Sequence, residues 1–181
     1  STEGYNIKLI RGDGSLWWSG SIAKGIEYFM SMYGRNDYLV FMNNDVFFDD
    51  SFFNRAKKFI ASNKNTVFGP LVVDFESNKV LQSGILMRNW LIAATLRVYE
   101  GMDLDVVLSS KKSIVDVDFL GGRATFYPYT AIELAGNVEY RLLPQYHADG
   151  EYSYRIKKLG YRVVLNTDMA VYTQRELTAG I

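Results

Sequence analysis

The 181-residue chain has no cysteine and only one histidine. The first absence excludes disulfides, thiolate metal sites and a cysteine nucleophile, and it suits the reducing cytosol. The second argues against a multi-histidine zinc centre, so any metal would be held mainly by oxygen, as Mg or Mn is. Net charge is missing too. Twenty basic residues balance twenty acidic ones, which leaves no electrostatic footprint for sequence-independent binding to nucleic acid or to an anionic membrane. All apolar runs fall far short of the roughly 20 residues that span a bilayer, and residues 1–5 lack the charged and apolar regions of a signal peptide. A soluble, cytoplasmic protein without a membrane span is expected. There is no repeat, low-complexity tract or linker.

What the chain does have is apolar mass. At 48% apolar and 15% aromatic content it can bury one good core, and one domain over 1–181 is expected. Residues 6–11 read as a short strand, followed by the glycine-bearing loop Gly12-Asp13-Gly14. Ser19 is placed to cap a helix in which Ile22, Ile26, Phe29 and Tyr33 share one face, with Gly34 as its stop. A strand over 38–42 follows. Asp50 or Ser51 then caps a second helix whose Phe52, Ala56, Phe59 and Ile60 face the core. Residues 66–74 form another buried strand, 79–99 hairpin-like strands, and 103–113 a loop. Strict alternation over 115–119 predicts a strand, Pro128 starts a helix ending at Gly136, and a last helix covers 149–159 before a strand at 161–165. In that helix Glu151 is spaced to pair with Arg155. The strand and helix alternation predicts an α/β domain with a central mixed, mostly parallel sheet flanked by helices.

Three constellations can carry chemistry. The apolar run from Tyr38 ends abruptly in Asn43-Asn44-Asp45, which puts a carboxylate beyond the carboxyl end of a buried strand. In open α/β sheets ligands bind there, and a carboxylate can hold a divalent cation against phosphate oxygens. Taken alone, three such residues read as a turn. Asp118-Phe119-Leu120-Gly121-Gly122-Arg123 combines glycines that let a backbone approach a ligand with an arginine fork suited to phosphate or carboxylate. Alone, it reads as a bend with a surface arginine. The third runs from Leu143 to Arg155, where Asp149 and Glu151 open a helix; an acidic first turn is ordinarily favourable dipole placement.

Together with residues 12–25, these segments resemble glycosyltransferase family 2, in particular its bacterial rhamnosyltransferase-like members, over most of the chain and in the same order. The resemblance implies a GT-A, Rossmann-like fold and an inverting sugar transferase of bacterial polysaccharide assembly, cytoplasmic or peripheral at the inner face of the cell membrane. It gives Asp45 the metal role, with Mg or Mn on the diphosphate of a UDP- or dTDP-linked donor, and Asp149 the role of catalytic base. Trp18, Ser19, Asn43, Asn44, Gly122 and Arg123 fall on the donor side; Asp118 and Glu151 would meet a saccharide or lipid-linked saccharide acceptor. His147 matches no family role. Two features depart from the pattern. The strands that grip the nucleotide base are missing ahead of residue 6, as in an N-terminally truncated domain, and residues 170–174 lack the histidine that completes many metal sites. An uncovered sheet edge would favour a homodimer. A non-catalytic binding or assembly module is the competing expectation.

Overall fold

The computed structural model describes residues 7–174, which contain five helices and eight strands. The spine is β2 (Thr66–Asp74), nine residues that are all buried. Its apolar, β-branched run has no polar face to offer, so it must be covered on both sides. On one side Val67, Leu71 and Val73 join Ile26 and Phe29 of α1 (Trp17–Met32), Ile132 of α4 (Tyr129–Ala135) and Ile156 of α5 (Ala148–Lys158). On the other, Phe68 and Val72 pack with Phe52 and Ala56 of α2 (Phe52–Ser62). The result is a three-layer α/β arrangement.

The sheet order is β1-β7-β2-β8-β6, with β3 (Val80–Gln82) also on β2. It is mixed, as expected, but not mostly parallel: only β2 and β8 (Arg162–Thr173) pair in parallel among the described residues. The reason is an insertion. β1 (Tyr38–Phe41) and β2 run in the same direction, as a strand-helix-strand order requires. However, β7 (Thr125–Pro128) lies between them antiparallel to both. β6 (Ile114–Asp116) is antiparallel to β8 at the far edge. A separate hairpin, β4 (Ile85–Asn89) with β5 (Ala94–Arg97), stands off the main sheet.

Several expectations are corrected. Residue 6 lies outside the described residues, and 7–11 form no strand; Ile7 and Leu9 are exposed. Ser19 is not a cap but sits buried inside α1. The free N–H groups of that first turn go instead to a distant segment: Trp18 N–H donates to Gln145 Oε1 at 3.2 Å and Ser19 N–H to the Pro144 carbonyl at 3.0 Å, which satisfies helix-end donors that have no partner within the helix. The loop expected over 103–113 contains α3 (Leu104–Ser109), which buries Leu104 and Val107. Finally, β8 extends well past residue 165. Pro70 has no N–H to donate to it, and β8 bulges there, so that Pro70 lies opposite Asn166 and Leu71 opposite Ala170. The residues between these two pairs, Thr167, Asp168 and Met169, are that bulge, just past the expected end of the strand.

Burial of tyrosines gives the fold an alkaline limit. Loss of solvent pushes the phenol of Tyr127 well above its ordinary value, with the nearby Asp149 carboxylate adding to the effect, and raises Tyr152 for the same first reason. The unfolded chain therefore releases these protons first, near pH ~10. Their contribution is complete below that pH and disappears as pH rises toward the folded values. Stability should fall above pH ~10 by up to about 1.4 kcal/mol per pH unit for each phenol. Urea denaturation at pH 8 and pH 11, with Tyr127→Phe flattening the slope, tests this; equal midpoints would refute it.

Candidate active site

Trp18 is the hub. Its indole Nε1–H donates to Asn43 Oδ1 at 2.8 Å, and its ring packs edge-on against Phe41 with centroids 6.3 Å apart. The other end of the ring lies on Gly122: a Cβ there would stand 2.8 Å from Trp18 Cη2 and closer still to Cζ2. Only glycine lets the backbone come so near. Gly122 N–H in turn donates to Asp149 Oδ2 at 2.7 Å, and Gly150 N–H to Asp149 Oδ1 at 2.8 Å. One indole thus connects the turn after β1, the glycine pair before β7 and the first turn of α5.

Three residues near these junctions have positive φ without being glycine. Trp17, beside the hub, has φ +51°, Ala124 φ +63° and His147 φ +68°. Such conformations cost energy and persist where surrounding contacts hold them. Ala124 is fully buried, and His147 is the residue from which α5 starts.

Asp149 opens onto a cleft of about 600 Å³. Its walls include His147, Gln82, Phe119, Tyr154 and Trp90. Phe119 and Tyr154 stack with centroids 5.0 Å apart, and Trp90 lies 5.0 Å from Tyr154. Gln82 is held by Arg123, whose Nη1–H donates to Gln82 Oε1 at 2.9 Å. Behind the site the Tyr127 hydroxyl and Ser19 Oγ are buried without a hydrogen-bond partner.

The sequence-predicted residues divide into two groups. Trp18, Asn43, Gly122 and Asp149 form one connected chain of contacts, with Ser19 beside Trp18 in α1. Arg123 supports the cleft wall through Gln82. Asp118 and Glu151 both hold partners within the fold, and Glu151 also lines the cleft. Asp118 accepts from Lys157 Nζ at 2.7 Å and from Met87 N–H at 2.7 Å, which ties the β4-β5 hairpin to α5. Glu151 takes Arg155 with both oxygens, at 2.7 and 3.0 Å; Arg155 also donates to the Ala135 and Asn137 carbonyls. Both carboxylates are thus engaged in bracing. The sequence reading missed the aromatic wall. Phe119 and Tyr154 lay inside segments already singled out, whereas nothing in the pattern marked Trp90.

Asp45 sits in the turn beyond β1, half-buried, and its Oδ1 is enclosed without a hydrogen bond. An orphaned carboxylate oxygen suits a cation. Asn44 is exposed beside it, and Asn43 Oδ1 is already taken by Trp18. Among the described residues no three acidic or histidine side chains converge. A divalent ion at Asp45 would thus take most of its ligands from water and phosphate oxygens, which is how Mg is usually held. No described helix is long and apolar enough to cross a membrane. No family model matches the chain, and no curated protein matches it.

Proposed function

We propose that this chain is an inverting glycosyltransferase of GT-A type that moves a sugar from a UDP- or dTDP-linked donor to a saccharide acceptor, in bacterial polysaccharide assembly on the cytoplasmic side of the membrane. The observation that carries the reading is the setting of Asp149: a carboxylate pinned by two backbone N–H groups at the mouth of a cleft walled by three aromatic rings. Such a wall suits a sugar, whose C–H faces pack on rings while its hydroxyls remain hydrogen-bonded.

Each oxygen of Asp149 keeps a lone pair beyond the one its backbone partner uses. It can therefore take the proton of an acceptor hydroxyl as that oxygen attacks the anomeric carbon, and a single in-line displacement inverts the configuration. Phe119, Tyr154 and Trp90 exclude water from one side of the cleft, which favours the saccharide hydroxyl as attacking group. Asp45, two residues beyond Asn43 in the turn after β1, would hold a Mg or Mn ion, which when bound stabilises the charge developing on the leaving diphosphate. Asn43 and Trp18 then fix the shape of the donor side.

Calorimetric titration with UDP and dTDP, with and without Mn, tests the donor half. Metal-dependent binding is expected, and Asp45→Ala should weaken it by about 2 kcal/mol or more, as for loss of one charged partner. Absence of any nucleotide binding would remove the transferase reading and leave the chain a binding or assembly module.

A further inference from the structure

The β4-β5 hairpin carries an apolar tip that the core does not need. Trp90, Leu91 and Ile92 follow one another at the turn and are 58%, 96% and 73% exposed. Neither the buried core nor the residues packed on it include any of them. Yet the tip is not free to wander. Leu91 N–H donates to Asn89 Oδ1 at 2.9 Å, and Trp90 rests against Tyr154 and Phe119, with ring centroids 5.0 and 6.3 Å away. The base of the hairpin is tied down as well. Met87 N–H donates to Asp118, Asp118 pairs with Lys157, and Ile85 bridges Phe119. A surface this apolar, built on a braced hairpin and exposed at adjoining positions, calls for a ligand.

Position decides what kind. Trp90 lines the same cleft as Asp149, whereas Leu91 and Ile92 continue the chain beyond that lining. A ligand whose polar ring fills the cleft against Trp90, Tyr154 and Phe119, and which extends outward past Trp90, meets Leu91 and Ile92 next. We propose that the β4-β5 hairpin is the acceptor-selecting element of the site. Trp90 takes the face of a pyranose, and Leu91 with Ile92 takes an apolar group attached to that sugar, so the preferred acceptor is an amphiphilic glycoside rather than a free sugar. This rests on the saccharide reading of the cleft.

The test uses the intact chain and two probe series, methyl and n-octyl glucosides, galactosides, mannosides and rhamnosides, the octyl compounds below their micellar concentrations. The readout is the indole N–H resonance of Trp90, assigned by its loss in Trp90→Phe. At least one sugar should shift that resonance, and its octyl glycoside should bind about tenfold or more tightly than its methyl glycoside, as burial of even part of an alkyl chain implies. Trp90→Ala, which lacks the reporting indole and is therefore followed by calorimetric titration, should abolish both interactions. The double variant Leu91→Ser, Ile92→Ser, at exposed positions that leave the fold intact, should bring octyl affinity down to the methyl level and leave the methyl affinity unchanged.

Equal affinity for methyl and octyl forms, or a Trp90 resonance indifferent to the whole panel, overturns the proposal. So does binding of the tip to bare phosphatidylcholine vesicles with no glycoside present, which would make it a membrane anchor. A dimer in sedimentation equilibrium that the double variant converts to a monomer would make the tip a self-association surface and would equally overturn it. Nucleotide titration reads the donor side independently, so a failed hairpin proposal and a failed transferase proposal give different patterns.

Discussion

Replacing Asp149, the proposed general base, by asparagine is expected to lower the proposed sugar transfer by about 10²–10⁴-fold, the usual range for such a loss, and also to destabilise the fold. The second effect follows from the hydrogen bonds. Both carboxylate oxygens accept backbone N–H groups, Oδ2 from Gly122 at 2.7 Å and Oδ1 from Gly150 at 2.8 Å. An asparagine has one carbonyl oxygen and one NH₂ group, so whichever way it turns, an N–H donor faces another donor. One half-buried backbone N–H then loses its partner, at a cost of about 1–3 kcal/mol. Urea denaturation and a transfer assay on the same preparation read the two effects separately. Nucleotide affinity should be retained, because Asp45 and not Asp149 is the proposed holder of the diphosphate metal. Undiminished transfer with asparagine at this position would show that the acceptor proton goes elsewhere. Unchanged stability would show that Gly122 N–H finds another acceptor when the site relaxes.

The frame of the molecule was readable because its strongest signals are local. The buried run of β2, the helices α2 and α5, and the start of α4 after Pro128 all lie within two residues of where periodicity puts them, and α1 starts three residues early. Topology was less accessible. That β7 enters between β1 and β2 depends on contacts far apart in sequence, and no local pattern announces it. The bulge opposite Pro70 shows the same limit: the polar residues of β8 look like an ending until the missing N–H on the neighbouring strand is seen. At the candidate site, turns and helix starts drew attention to Asp45, Gly122 and Asp149, since these residue types stand out at such places. Side-chain commitments were invisible. Asp118 and Glu151 have the chemistry of acceptor-binding groups, but no local pattern shows that Asp118 also holds Lys157 and Met87, or that Glu151, on the cleft wall, also holds Arg155. Trp90 was overlooked for the opposite reason. It becomes part of the cleft only when the hairpin folds against Phe119 and Tyr154.

Tyr152→Ala should cost about 3–5 kcal/mol, as removal of a large buried aromatic does. The ring is fully buried, lies 5.8 Å from Phe41 and 5.3 Å from Tyr127 between centroids, and carries the Arg155 guanidinium 5.1 Å above it. Its hydroxyl donates to the Gly136 carbonyl at 2.8 Å. Tyr152→Phe keeps the ring and should lose only about 1 kcal/mol, the net value of one hydrogen bond. Both are to be measured by urea denaturation at pH 8, where the phenol is neutral folded and unfolded alike. The consequence reaches the site because Tyr152 lies one turn after Asp149 on α5. With the ring gone, the first turn of that helix keeps the Gly122 and Gly150 bonds but loses the packing that sets its height above β1 and β7. On the proposed function, the alanine variant should therefore transfer sugar more slowly per folded molecule, while the proposed metal-dependent nucleotide binding at Asp45 should hold. An alanine variant no less stable than the phenylalanine one would mean that Phe41 and Tyr127 close over the space, and α5 would then owe its position to Ile156 and the Lys157 to Asp118 pair instead.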